Sequence, residues 1–174
     1  MNVILIAAIT ADGYIARHSN EIVEWSLDLQ LFKEQTMGFP IIMGSNTKKT
    51  LKIDLTGRKE IVIHRTDNPK EILAGIKAST CFVIGGGMTN TLFSPYLTHL
   101  YLTVHPLIFA KGIKLFEGLA SEINLSLVQT VPIKGQKTYT SFSIRFLDNN
   151  NTLFLFTFLF YNSCFYLSAQ HSVF

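Results

Sequence analysis

The stretch VIGGGMTNTLF, Val83 to Phe93, runs from an apolar segment through three consecutive glycines into a segment of helical character. This order lets backbone N–H groups and the positive end of a helix approach a phosphate. A cofactor pyrophosphate would suit such a turn. A plain tight connection between strand and helix would read the same way. The spacing is not the dinucleotide fingerprint, because no glycine stands three residues after Gly87.

Working outward, Cys81 to Ile84 forms the buried strand that feeds this turn. The segment IIMGSNTKKTL, Ile41 to Leu51, repeats the pattern: a strand from Pro40 to Met43, a turn at Gly44, then a short polar helix. Thr47 either caps that helix or donates to a phosphate. Lys48 and Lys49 are either solvated charges or phosphate contacts. Val3 to Ile9 is a continuous apolar run, as in a strand buried on both faces. Thr10 to Glu24 reads as a long loop. Ser26 is placed to cap a helix with Leu27, Leu31 and Phe32 on its apolar side and Gly38 past its end. Glu60 to His64 is a further strand. Asn68, Pro69 and Glu71 open a helix expected to reach Ala78. Leu100 to His105 is a strand, and Leu125 to Val131 and Tyr139 to Phe146 alternate as late antiparallel strands. The whole predicts an α/β fold: three layers around a mostly parallel central sheet, with antiparallel C-terminal edge strands.

The 174 residues are 48% apolar and 16% charged, with a formal net charge of +3. These values fit a globular domain. The positive charges are scattered, so no nucleic-acid partner is expected, and a small anionic ligand suits the mild excess. The start of the chain has no basic segment before its apolar run and reads as a strand, not a signal peptide. A cytoplasmic compartment is therefore expected. Cys81 and Cys164 have no metal-ligand spacing, the five histidines lack an i, i+4 pair, and no metal is expected. Residues 1–147 read as one domain. Residues 148–174 read as an apolar extension, free of Asp, Glu, Lys and Arg from Asn149 onward. Thr152 to Leu167 is slightly short for a membrane span, so a membrane partner is not expected. The extension is either dispensable, packed on the body, or an anchor.

Three further polar residues stand out. Asp28 lies near a helix start among apolar neighbours, where it either complements the helix dipole or forms a buried carboxylate able to bind an amidine-like ring edge. Arg58 and Arg65 follow a turn glycine and a strand end. Each is either a surface arginine or an anion grip.

In order and spacing, ILIAAITADGYIA, the W…D…FK…T segment with PIIMG, GRKEIVIHR, VIGGG and LYLTV resemble the dihydrofolate reductase superfamily over Asn2 to Phe146. The GGGMTN segment and HLYLTVHPLIFAKGIKLFEG are more similar to the pyrimidine reductases of riboflavin synthesis. Asn90 stands where dihydrofolate reductases usually carry an aromatic. The resemblance implies a reductase that passes a hydride from NADPH to a pterin or pyrimidine. It gives Asp28 the role of ring-binding carboxylate and Thr103 that of its support. Ala8, Ile15, Trp25 and Phe32 would line the substrate pocket, and Arg58 would grip the glutamate tail of folate. On the cofactor side stand Gly44, Thr47, Ile84, Gly85, Gly86, Gly87 and Asn90, with Arg65 reading the extra ribose phosphate. The family arginine after the strand glycine is Ser45 here. Two residues fewer separate Trp25 from Asp28, and the loop before Trp25 is longer. Dihydrofolate is the expected substrate, and a ribosylaminopyrimidine phosphate the alternative. A non-catalytic nucleotide-binding protein of the same fold is the alternative of a different class. A homodimer is left open.

Overall fold

The computed structural model describes residues 1–133 and 140–146. Extension 148–174 lies outside the described residues. Among the described residues, nine strands and four α-helices run in the order β1 Asn2–Thr10, β2 Tyr14–Ala16, α1 Leu29–Thr36, β3 Ile41–Gly44, α2 Ser45–Thr50, β4 Glu60–Ile63, α3 Pro69–Ala74, β5 Thr80–Val83, α4 Gly87–Phe93, β6 His99–His105, β7 Ile113–Lys114, β8 Leu125–Pro132 and β9 Thr140–Phe146. A seven-stranded sheet has the order β4-β3-β5-β1-β6-β9-β8. Its first five strands are parallel. The last two are antiparallel, as the alternating late segments predict.

Apolar side chains cover both faces of this sheet. Val3, Leu5, Ile42, Val83, Leu100 and Leu102 meet Leu73 of α3 and Phe93 of α4 on one side. Ile4, Ile6, Ile41, Met43 and Phe82 meet Phe32 of α1 and Phe39 on the other. Each fully buried side chain of this size contributes about 1.5–3 kcal/mol. Burial on both faces explains the continuous apolar runs of β1, β3 and β5. Cys81 belongs to this core, and burial pushes its thiol up to about 11, so it stays protonated and acts as a small apolar filler.

The elements depart from expectation at three points. Ser26 does not cap α1: Asp28 holds the cap position, without a side-chain cap bond, and the Ser26 hydroxyl donates to the Asp28 carboxylate instead. Helix α3 ends at Ala74, four residues early, because the Gly75 N–H closes onto the last carbonyls. Its start is as expected, with the Asn68 side chain accepting from Lys70 N at 3.0 Å. Finally, the loop after β1 contains β2, which pairs with the two-residue β7.

Candidate active site

Because β1, β3, β4, β5 and β6 are parallel, their C-terminal ends gather at one edge of the sheet, where open α/β sheets take their ligands. Thr10, Gly44, Ile63, Val83 and His105 end these strands there. An open groove of about 370 Å³ floored by Ile4, Phe82 and Tyr101 also includes Asn2 and Thr80, so it reaches the opposite edge and shares no residue with the candidate site.

The residues expected on the cofactor side lie in two strand-to-helix turns placed side by side. The Gly44 N–H donates to the Gly85 carbonyl at 2.9 Å, and Ile84 N donates to Ile42 O at 2.9 Å, so the glycine turn is locked to the end of β3. Gly85 has φ +111°, a conformation side chains resist. A Cβ on Gly85 or Gly86 would meet only the Thr47 hydroxyl of α2, at 3.8 and 3.5 Å. That pair of glycines therefore leaves a shallow cradle beside Thr47. Gly87 differs: a Cβ there would lie 2.5 Å from Lys114 O and 2.7 Å from the Glu117 side chain, so its bareness serves packing. Asn90 is fully buried and donates from Nδ2 to Leu115 O at 2.8 Å, tying α4 to the segment after β7. Arg65 is exposed just past β4. Lys48 is paired with Glu60, whereas Lys49 is exposed.

The residues expected to line a substrate pocket gather on the sheet face that carries α1. Strand alternation places Ile4, Ile6 and Ala8 of β1 and their register partners His99, Tyr101 and Thr103 of β6 on that face, with His105 after them. Asp28, at the start of α1, is only 7% exposed, and Ser26 is buried beside it. Among the described residues Asp28 makes no ion pair. Trp25 stands edge-on to His105, with ring centroids 5.2 Å apart, and to Phe109 at 5.3 Å. Its indole N–H is buried without a protein acceptor among the described residues. Ala8, Ile15, Trp25 and Phe32 are half-buried.

Arg58 is buried and lies 5.8 Å from the Phe32 ring centre. It donates to the Leu55 carbonyl, to the Asp54 carbonyl and to the Thr36 hydroxyl, the last at 3.0 Å. Three of its five N–H donors are thus spent on the scaffold. Thr103 is buried, but no hydrogen bond joins its hydroxyl to Asp28 among the described residues. The link between them is indirect. The Thr103 carbonyl lies 3.1 Å from His105 Nδ1, and His105 Nε2 accepts from the Leu27 N–H at 3.0 Å. His105 escaped the sequence reading because a lone histidine at a strand end carries no pattern.

Asp12, also unflagged by the sequence, knits this edge together. Its carboxylate accepts from the Thr10 hydroxyl at 2.6 Å and from the N–H groups of Phe109, at 3.1 Å, and Ala110, at 2.8 Å. Burial alone would raise its pKa, but these hydrogen bonds outweigh it and hold the carboxyl below its ordinary value. Among the described residues, no helix is long and apolar enough to cross a membrane.

Known proteins are similar to this chain in sequence and in fold. The dihydrofolate reductase family model matches residues 2–110. Dihydrofolate reductase type 3 of Salmonella typhimurium is 29% identical over 119 residues, covering 59% of this chain and 71% of the relative. The dihydrofolate reductase of Bacillus subtilis (strain 168) is 31% identical over 112 residues, covering 56% of this chain and 66% of the relative. Among solved structures, the Enterococcus faecalis dihydrofolate reductase complexed with NADP(H) and RAB-propyl superposes with a TM-score of 0.68 at 20% identity, covering 84% of this chain and 97% of that one. A Shewanella sp. PV-4 protein, provisionally described as a riboflavin biosynthesis protein, gives 0.61 at 16% identity, covering 85% of this chain and 100% of that one. The glycine turn beside Thr47, the buried carboxylate at the start of α1 and the match over residues 2–110 agree, and the chain belongs to the dihydrofolate reductase family of NADPH-dependent oxidoreductases.

Proposed function

We propose that this chain reduces dihydrofolate to tetrahydrofolate. The observation that carries the reading is Asp28: a buried carboxylate that accepts from the neutral Ser26 hydroxyl and makes no ion pair among the described residues. Such a group is costly to bury unless a donor pair completes it. The amino group and adjacent ring nitrogen of a pterin form that pair through charge-assisted hydrogen bonds. Asp28 then anchors the ring and favours its protonation next to the carbon that is reduced. Trp25, Phe32, Ala8 and Ile15 enclose the ring. Arg58 reaches the glutamate tail with the donors the scaffold leaves over, and Thr103 acts from beneath.

The glycine cradle fits the cofactor, since backbone at Gly85 and Gly86 is bare where a pyrophosphate would approach and Thr47 flanks it. Gly44 and Ile84 fix that turn, Gly87 and Asn90 seat α4 behind it, and Arg65 reads the additional ribose phosphate. When bound, NADPH supplies the hydride. On this reading one reductase domain spans 1–147 and precedes the extension 148–174. The chain works in the cytoplasm, with small molecules as its partners and a homodimer as the assembly to test.

A second reading, reduction of a ribosylaminopyrimidine phosphate, is favoured by Asn90. It is buried and bonded to Leu115 within the segments most similar to the pyrimidine reductases. The test is loss of NADPH absorbance with each substrate offered separately. Oxidation driven by dihydrofolate is expected. Oxidation driven by the pyrimidine phosphate alone would install the second reading, and oxidation with neither would overturn both.

A further inference from the structure

We propose that His105 is a positioning residue, a neutral strut that sets the Asp28 carboxylate over the sheet; this rests on the reductase reading above. The chain from Arg17 to Asp28 has no regular secondary structure, yet it must deliver Asp28 to a fixed place. Two backbone contacts bracket that residue. On its C-terminal side, Asp28 O accepts the first helical bond, from Phe32 N at 2.8 Å. On its N-terminal side, the Leu27 N–H donates to His105 Nε2 at 3.0 Å.

The ring is itself fixed. It is 1% exposed, ends β6 two residues after Thr103, and places Nδ1 3.1 Å from the Thr103 carbonyl. A nitrogen that accepts from an amide carries no proton, so the Nδ1–H tautomer satisfies both contacts at once. Trp25 packs edge-on against the same ring. One imidazole therefore joins the threonine strand, the tryptophan and the peptide next to the carboxylate. An aromatic ring of similar size would fill the space but offer no acceptor, and the Leu27 N–H would lose its protein partner at this part-buried contact. Asp28 would then keep the Ser26 hydroxyl and the first helical bond but lose the backbone anchor on its N-terminal side, and small misplacements of a reacting constellation cost large factors in rate.

The experiment uses the full chain with His105→Phe and His105→Gln. The phenylalanine keeps ring volume without an acceptor, and glutamine restores a neutral acceptor and donor. His105→Phe is expected to lower kcat/KM for the pterin at least about tenfold while leaving KM for NADPH unchanged. His105→Gln is expected to recover most of the loss. Equal loss in both variants, or wild-type turnover in folded His105→Phe, would overturn the proposal. Two further readouts do not depend on activity. Hydrogen exchange at the Leu27 amide should be slow in wild type and His105→Gln and fast in His105→Phe. Emission from Trp25, the one tryptophan of the chain, should change in His105→Phe. An enzyme inactive on both substrates would remove the reductase reading. Leu27 exchange would still decide the strut, and unchanged exchange in His105→Phe would refute it.

Discussion

Gly87 and Asp28 show how much a single position can carry. At Gly87 a methyl group would meet the Lys114 carbonyl at 2.5 Å, and a backbone oxygen cannot swing aside as a flexible side chain can. Gly87→Ala should therefore cost about 1–3 kcal/mol of stability, as overpacking does. A lowered Tm against wild type is the expected result, and an unchanged Tm would show that the Lys114 segment yields freely. On the proposed reading, Asp28 makes the opposite case, function without a large structural share. Asp28→Asn keeps an oxygen for the Ser26 hydroxyl, so the fold should persist. The lost charge removes ring anchoring worth about 2–4 kcal/mol in a preorganised site. Turnover should fall by about 30- to 900-fold. Steady-state kinetics on the folded variant, checked by circular dichroism, measure this, and wild-type rates would take the carboxylate out of the mechanism.

At the scale of elements, one carboxylate reinforces the joint between the end of β1 and the chain after β6, beside the bond from the Ala11 N–H to the Leu107 carbonyl. Asp12 receives the amides of Phe109 and Ala110, and Ala110 has φ +62°, a conformation that needs such support. The folded carboxyl sits below the ordinary value of 3.8. Its contribution is thus complete above that value and is lost as pH falls below it through the folded pKa. Thermal melts of wild type and Asp12→Asn should differ by a constant Tm above about pH 5 and converge only as pH falls below 3.8 through the folded pKa. A gap that persists at lower pH would mean the charge is not what holds the joint.

These cases also mark what a sequence exposes. The strands β1, β3 and β5 were legible because burial on both faces leaves continuous apolar runs, and Asn68-Pro69 announced α3 through its capping chemistry. The glycine turn and Asp28 were legible through their order along the chain. Asp12, His105 and the β2–β7 pair were not. Each depends on partners far away in sequence: Asp12 on residues 97 and 98 positions off, His105 on Leu27, 78 positions off. Such contacts leave no local period. Ser26 was misassigned because a serine before a helix satisfies the cap pattern whether it meets an amide or a carboxylate.

At the scale of the molecule, every assigned site residue lies at or before Thr103, and the strut at His105. The antiparallel strands β9 and β8 complete the sheet beyond β6, with β9 ending at Phe146. A chain ending at Asp148 thus contains every described strand of the sheet and every assigned site residue. Beyond Asp148 stand 26 residues of apolar and polar-neutral composition without a single Asp, Glu, Lys or Arg. Long apolar, charge-free segments rich in Phe, Thr and Tyr promote intermolecular β-pairing when they are accessible. Truncation after Asp148 should therefore preserve turnover and Tm while raising the soluble yield. Both forms would be expressed in parallel and compared by solubility, melting and rate of NADPH oxidation. An insoluble or inactive truncated form would make residues 149–174 part of the working fold, and the seven-stranded sheet would then need them to stand.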